Sequence, residues 1–351
     1  MADERAPHSG WRIGLPVAGA ALSIAALVVA ALAGGAAWRA WTAAAFLCVS
    51  APTGALVLLM MMQLIPGAWA REAEPYLKAQ ALLAPLSAAA MLPVLFELGA
   101  IYRWVGQAEA TAFRTAWLSP PAFIACTVIW LAVLCALAVT LTLRPVVPRA
   151  VACVGLLLVA VLDTFAATDW LQSMDPAFRS SGFGLYIMGL QTLFALAVAL
   201  VLGLAAGAPW RRPGIMGGLL LTLLLIWAYF DFMPFFITWS GDVPSGAVWY
   251  MRRSLGVWGD LGWLIAACRL GPAFLLLFAA VRNSRRWLLL VAATVAAGTA
   301  PELAWIALPA APGAPAADAW TAAVFVLAVL GLVGLAAAGA GRALEWRGAR
   351  P

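Results

Sequence analysis

The sequence predicts an all-α polytopic membrane protein of about ten transmembrane helices, and three observations predict it. Hydrophobic residues fill 65% of the 351 positions and charged residues only 10%, with a mean hydropathy of +0.97, whereas water-soluble domains carry roughly 25% charge. The apolar stretches run about 20 residues, which suits membrane-spanning helices rather than barrel strands. Polar residues gather in short segments between these stretches.

A short polar tail, 1–11, opens the chain. Ten spans then read at approximately 12–36, 41–66, 81–103, 119–143, 148–168, 182–207, 214–239, 258–281, 287–309 and 319–342. The first apolar run exceeds the core of a secretory signal, so it is expected to remain as a span. A polar central loop, 169–181, divides an N-terminal helical half (12–168, spans one to five) from a C-terminal half (182–342, spans six to ten), and a second tail covers 343–351. Spans two to five and six to nine have similar lengths. The expected arrangement is two four-helix bundles, with the first and last spans peripheral.

Orientation follows from the cations. With ten spans, the termini and even-numbered loops share one side and hold 14 of the 21 Lys and Arg residues. The other side holds 6, and Arg269 lies inside a span. The positive-inside rule therefore expects both termini in the cytoplasm and the central loop outside. Many of the 18 Trp residues sit at span ends, as interfacial anchors do. The net charge of +6 is dispersed, with no basic patch interleaved with aromatics, so nucleic acid is not an expected partner. All five cysteines fall in apolar spans without CxxC spacing, and His8 is the only histidine. No metal site, cluster or axial-histidine haem is expected on this chain by itself.

Charges within the spans are the candidate functional groups, because each is costly in lipid. Glu97 ends span three, Asp163 lies late in span five, Asp231 late in span seven, and Glu302 in the second half of span nine. Asp260 opens span eight and Arg269 follows nine residues later, roughly 14 Å deeper at 1.5 Å per residue. A partner for Arg269 is expected from Asp231 or Asp163. With Asp169 of the central loop, these groups fit an outward-facing polar cavity for protons or quinol. The same charges also fit acids that snorkel to the interface and a buried pair that fixes packing.

Two stretches carry a family resemblance. Asp169-Trp170-Leu171-Gln172-Ser173-Met174-Asp175-Pro176, followed by Phe178 and Ser180 to Tyr186, resembles the D-W-x-x-S-L-[DE]-P-x-W-F-S-T-x-F-G-x-Y pattern of the NrfD-like (polysulfide-reductase-like) membrane subunits of alternative complex III, a bacterial quinol:cytochrome c oxidoreductase. Leu225 to Phe230, then Phe236 to Pro244 and Trp249-Tyr250, is similar to the family's W-A-Y-F-x-F-S-Q-x-x-I-x-W-x-x-N-x-P-E-E stretch, with Tyr229, Trp239 and Pro244 at its fixed points. This chain departs from the pattern at Phe178-Arg179, at Asp231 to Pro234, and at Ser245-Gly246.

The likeness is nearest to the second, short-looped subunit of that complex. It implies two four-helix bundles with two flanking helices. It implies partners: a multihaem and a monohaem cytochrome c, an iron–sulfur/molybdopterin-like subunit and the first NrfD-like subunit. Haem and iron–sulfur clusters would sit on those partners, and quinol oxidation mainly on the first subunit. The expected function is a bacterial inner-membrane subunit that supports quinol oxidation and proton movement. A proton-coupled secondary transporter and a structural or assembly subunit are the alternatives.

Overall fold

The computed structural model describes residues 10–107, 111–144, 147–175, 178–208, 210–309 and 317–348. Regular structure among these residues is entirely helical, and ten segments are long and apolar enough to cross a membrane. The protein is an all-α polytopic membrane protein.

Helices α1 (Gly10–Ala33) and α2 (Gly35–Leu64) form the first two spans. The third is α3 (Ala68–Ala81) continued by α4 (Ala84–Phe96). Short helices α5 (Leu98–Ile101) and α6 (Ala112–Trp117) lead to α7 (Pro120–Leu143), and α8 (Arg149–Trp170) follows. After a 3₁₀ turn at Gln172–Met174 come α9 (Phe183–Ala205), α10 (Pro213–Ser240), α11 (Pro244–Ser254) and α12 (Gly256–Leu276). Then α13 (Ala279–Asn283) precedes α14 (Arg285–Ala297) and α15 (Thr299–Ala307), which together make the ninth span, and α16 (Ala319–Gly348) is the tenth. Pro120, Pro213 and Pro244 each stand at a helix start, where the missing N–H costs nothing.

Helices α2, α3/α4, α7 and α8 pack as one bundle, and α9, α10, α12 and α14/α15 as the other. The seam runs between α2 and α9. A methyl group added at Gly54 would lie 2.0 Å from the Gln191 carbonyl oxygen, so the two backbones touch there. Helices α1 and α16 pair with each other and together cover α2 and α3. A methyl on Gly331 would come 2.5 Å from Ser23 Oγ, the small-residue contact that lets membrane helices approach closely. The peripheral helices thus form a two-helix wall, and α2 is buried along nearly all its length.

Three boundaries differ from the sequence reading. Helix α2 begins at Gly35, so Arg39 is a buried helical residue instead of a loop cation. The third span begins at Trp69, well before the expected 81. Its first half is amphipathic: Ala73, Leu77 and Ala81 are buried, while Lys78 and Glu74 pair at 2.5 Å on the opposite face. That charged face masks the helix in a hydropathy reading. The loop expected over 239–258 contains α11, with Arg252 and Arg253 in its last turn.

Described residues that follow α5 and α8 meet each other and α11 at one end of the bundles, the central-loop end. Tyr102 OH donates to the Trp170 carbonyl at 3.0 Å and Trp104 Nε1 to Ser173 Oγ at 3.1 Å. Arg252 pairs with Asp175, and Phe178 stacks on Trp249 with centroids 4.2 Å apart.

Candidate functional site

The site begins with a helix break. Helix α14 stops at Ala297 and α15 restarts at Thr299, leaving Glu302 in the first turn of the new helix. A carboxylate there faces the positive end of the helix dipole. The break residue is Gly298, and a side chain on it would strike Cys268 Cβ at 2.8 Å. Glycine therefore lets α12 draw close enough for the next residue, Arg269, to lie along the break.

Arg269 and Glu302 are both fully buried and form an ion pair. Arg269 Nε and Nη2 donate to Glu302 Oε2 at 3.0 and 2.6 Å, Nη1 donates to the Val295 carbonyl at 2.6 Å, and Nη2 also reaches Thr299 Oγ1 at 3.0 Å. The other carboxylate oxygen, Oε1, accepts from Trp227 Nε1 at 2.6 Å and from Tyr186 OH. The Arg269 guanidinium also lies 5.6 Å from the Trp227 ring centroid. The partner of Arg269 is thus Glu302, where Asp231 or Asp163 was expected. Helix α12 packs against α10 as well as α14 and α15, and among the acids on these neighbours it is Glu302, in the first turn of α15, that meets the guanidinium.

Tyr186 connects the pair to open space. Its ring lines a narrow slot of about 30 Å³, together with Phe230, Asp231, Trp249, Tyr250 and Trp305, which is room for one or two waters. Asp231 is exposed and stands at the wall of this slot beside Tyr186. A wider groove of about 410 Å³ shares Phe178, Phe230 and Pro234 with the slot and continues along Tyr229, Met233 and Ile237. This groove is of the size that takes an aromatic ring. Above the slot, Arg253 braces α11 against α15. It stacks 3.7 Å over Trp249 and donates to the carbonyls of Trp249, Trp305 and Ile306 at 3.1, 3.0 and 2.7 Å. Burial, then repulsion from Arg252, pushes the Arg253 guanidinium down to about 9, so it stays charged near neutrality. Burial, with Asp231 adding to it, pushes the Tyr250 phenol above its ordinary value, so Tyr250 remains a neutral hydroxyl.

No protein-family model matches this chain, and no curated protein does.

The remaining sequence candidates are dispersed. Asp169 Oδ1 accepts from Trp117 Nε1 at 3.0 Å at the edge of a further groove of about 610 Å³, which shares Phe178, Arg179, Ser180 and Ser181 with the 410 Å³ groove. Asp163 lines none of these clefts and meets Gln191 Nε2 at 3.2 Å. Glu97 is half-buried at the junction of α4 and α5, also outside the cleft linings. Trp170 donates to Thr127 Oγ1 at 2.9 Å, and Ser173 Oγ to the Asp169 carbonyl at 2.5 Å. These two motif residues brace the central loop. Trp239 is 71% exposed on the outer surface and Pro244 opens α11. Pro176 lies outside the described residues. The sequence reading passed over Tyr186, Trp227, Gln191 and Arg39. Tyr186 sat in the motif but was not given a chemical role, and Gln191 is, like Gln63 and Gln80, an amide side chain within an apolar span.

Proposed function

We propose that this chain is an integral subunit of a bacterial respiratory quinol:cytochrome c oxidoreductase of the alternative complex III type. In this reading it lies in the cytoplasmic membrane with the central-loop end outward, on the expectation from its cations. It belongs with the NrfD-like subunits on the strength of the central-loop and span-seven motifs, and it carries no redox cofactor of its own. The multihaem and monohaem cytochromes c, the iron–sulfur/molybdopterin-like subunit and the first NrfD-like subunit supply the electron path.

The observation that carries a role in proton handling is Tyr186, which both lines the slot and donates to Glu302. Asp231 takes a proton at the slot wall, the Tyr186 hydroxyl relays it, and Glu302 receives it while Arg269 holds that carboxylate in place. The adjoining groove, lined by Tyr229, Phe230 and Met233 and also by Arg179, Ser180 and Ser181, offers a bay for a quinol ring next to the slot that Asp231 lines. Gentle purification from native membranes should bring c-type haem and quinol:cytochrome c activity with this chain. Asp231→Asn and Tyr186→Phe should each lower turnover by at least about tenfold, since positioned acid–base groups contribute that much or more, while the complex stays assembled. Full turnover and unchanged proton stoichiometry in both variants would remove the slot from the mechanism.

One observation favours a second reading, proton-coupled transport. The ninth span is discontinuous beside a buried ion pair, as helices at transporter sites are. The other interrupted span is the third, and the two breaks do not occupy matching places in the two bundles. Proton flux in liposomes holding the chain alone would support transport, and its absence together with co-purifying haem would dismiss it.

A further inference from the structure

The seam between the two bundles holds a second polar pair, remote from the slot. Asp163 of α8 and Gln191 of α9 are both completely buried and joined by one hydrogen bond, Gln191 Nε2 to Asp163 Oδ1, 3.2 Å. The other two oxygens of this pair, Asp163 Oδ2 and Gln191 Oε1, are buried and have no hydrogen-bond partner. Two orphan acceptors on two bonded groups are unusual, since nearly all buried polar atoms are satisfied.

The surroundings leave little space for water and hold no nearby cation. A methyl on Gly54 of α2 would meet the Gln191 carbonyl at 2.0 Å, and one on Gly184 of α9 would meet Thr164 at 2.6 Å. The pair is therefore flanked by two tight helix crossings. Apart from Asp163, the only charged residues in α2, α8 and α9 are Arg39, Arg149 and Asp169. Arg149 is about 21 Å along α8 from Asp163, Arg39 about 22 Å along α2 from Gly54, and Asp169 about 9 Å along α8, at 1.5 Å per residue. Helix α7, which packs on α8, has no charged side chain. Among the helices packed on α9, α10 contributes Asp231 at the slot, α3 carries its charges in the stretch from Arg71 to Lys78, and α14 carries Arg285 and Arg286 at its start. Arg269 is committed to Glu302. An isolated buried carboxylate with no countercharge takes up a proton instead of bearing the cost of ionisation.

We infer that Asp163 and Gln191 form an occluded proton-binding site, in which Asp163 is a neutral carboxylic acid that donates from Oδ2 to Gln191 Oε1. One proton then satisfies both orphan oxygens and turns the contact into a reciprocal acid–amide pair that locks the two bundles together. The site stands apart from the slot and holds whatever the slot does.

Infrared difference spectroscopy on the purified full-length protein, wild type minus Asp163→Asn, tests this. The spectrum should show the carbonyl stretch of a protonated acid, lost in the variant and unchanged from mildly acidic to mildly alkaline buffer. Asn carries the same donor and acceptor as the neutral acid, so Asp163→Asn should keep the wild-type melting temperature, whereas Asp163→Leu should lower it. Gln191→Leu should move the acid band to higher frequency through the lost hydrogen bond, and this shift serves as the test if the Asp163 variants fail to fold. Carboxylate bands in place of the acid band would overturn the inference. So would stabilisation of the wild type, but not of Asp163→Asn, by sodium or potassium chloride at constant ionic strength.

Discussion

Arg269 and Glu302 show how a charged pair is tolerated in the middle of a membrane bundle: every donor of the guanidinium side that faces α15 finds an acceptor, and both carboxylate oxygens are filled. Such a pair adds little over well-packed apolar residues, but removing one member strands the other, at about 3–5 kcal/mol. Arg269→Leu and Glu302→Leu should each lose about that much in thermal or denaturant unfolding in detergent. The double variant should recover most of it, because no charge is then left alone. Acids and the arginine stood out in the sequence because charge is rare in these spans. Their pairing did not, since it depends on which helices become neighbours. Tyr186 and Gln191 carry no charge, so nothing in composition separates them from ordinary packing residues.

Helix contacts set the next constraints. Gly54 brings α2 onto α9 with no room for even a methyl group. Gly54→Ala should cost about 1–3 kcal/mol, the usual range for overpacking, and lower the melting temperature of the purified chain. At the start of α16, the exposed Asp318 carboxylate accepts from Thr321 N and Thr321 Oγ1, both at 2.8 Å. These bonds hold its pKa below the usual carboxylate value. A lowered folded-state value means the cap is fully effective above the ordinary pKa of about 3.9 and is lost as pH falls through the lower folded value. Protection of the Thr321 and Ala322 amides, measured against the intrinsic exchange rate at each pH, should therefore fall in acid, and in Asp318→Ala it should be low at every pH. The ten spans were legible because twenty apolar residues in a row have few alternatives. The amphipathic opening of the third span and the break at Gly298 were not, since the first mixes charge with a buried stripe and the second appears only once α12 is in place.

The expected two-bundle architecture is the one observed, and the first and last spans, read as separate flanking helices, make a single wall. Orientation rests on the distribution of cations and has a direct measurement. With an impermeant maleimide on spheroplasts, Gln107→Cys at the central-loop end should label from outside, and Ser284→Cys at the opposite end only after permeabilisation. The reverse pattern would invert the assignment and move the slot to the cytoplasmic face. The central-loop end also joins the two halves through Arg252–Asp175 and Phe178–Trp249. A soluble partner docking there would meet one continuous surface.

The position of α2 has a bearing on how the protein is made. Its burial depends on α9, α15 and α16, which leave the ribosome long after it does. At about 5–20 residues per second, α2 spends on the order of ten seconds in the bilayer before α9 exists, with its small-residue faces against lipid. The half-synthesised chain is thus the form most open to membrane proteases and to wrong helix partners. Two fragments, 1–177 and 178–351, co-expressed as separate polypeptides should still find each other and accumulate, and the first, which lacks α9, α15 and α16, should be degraded when expressed alone.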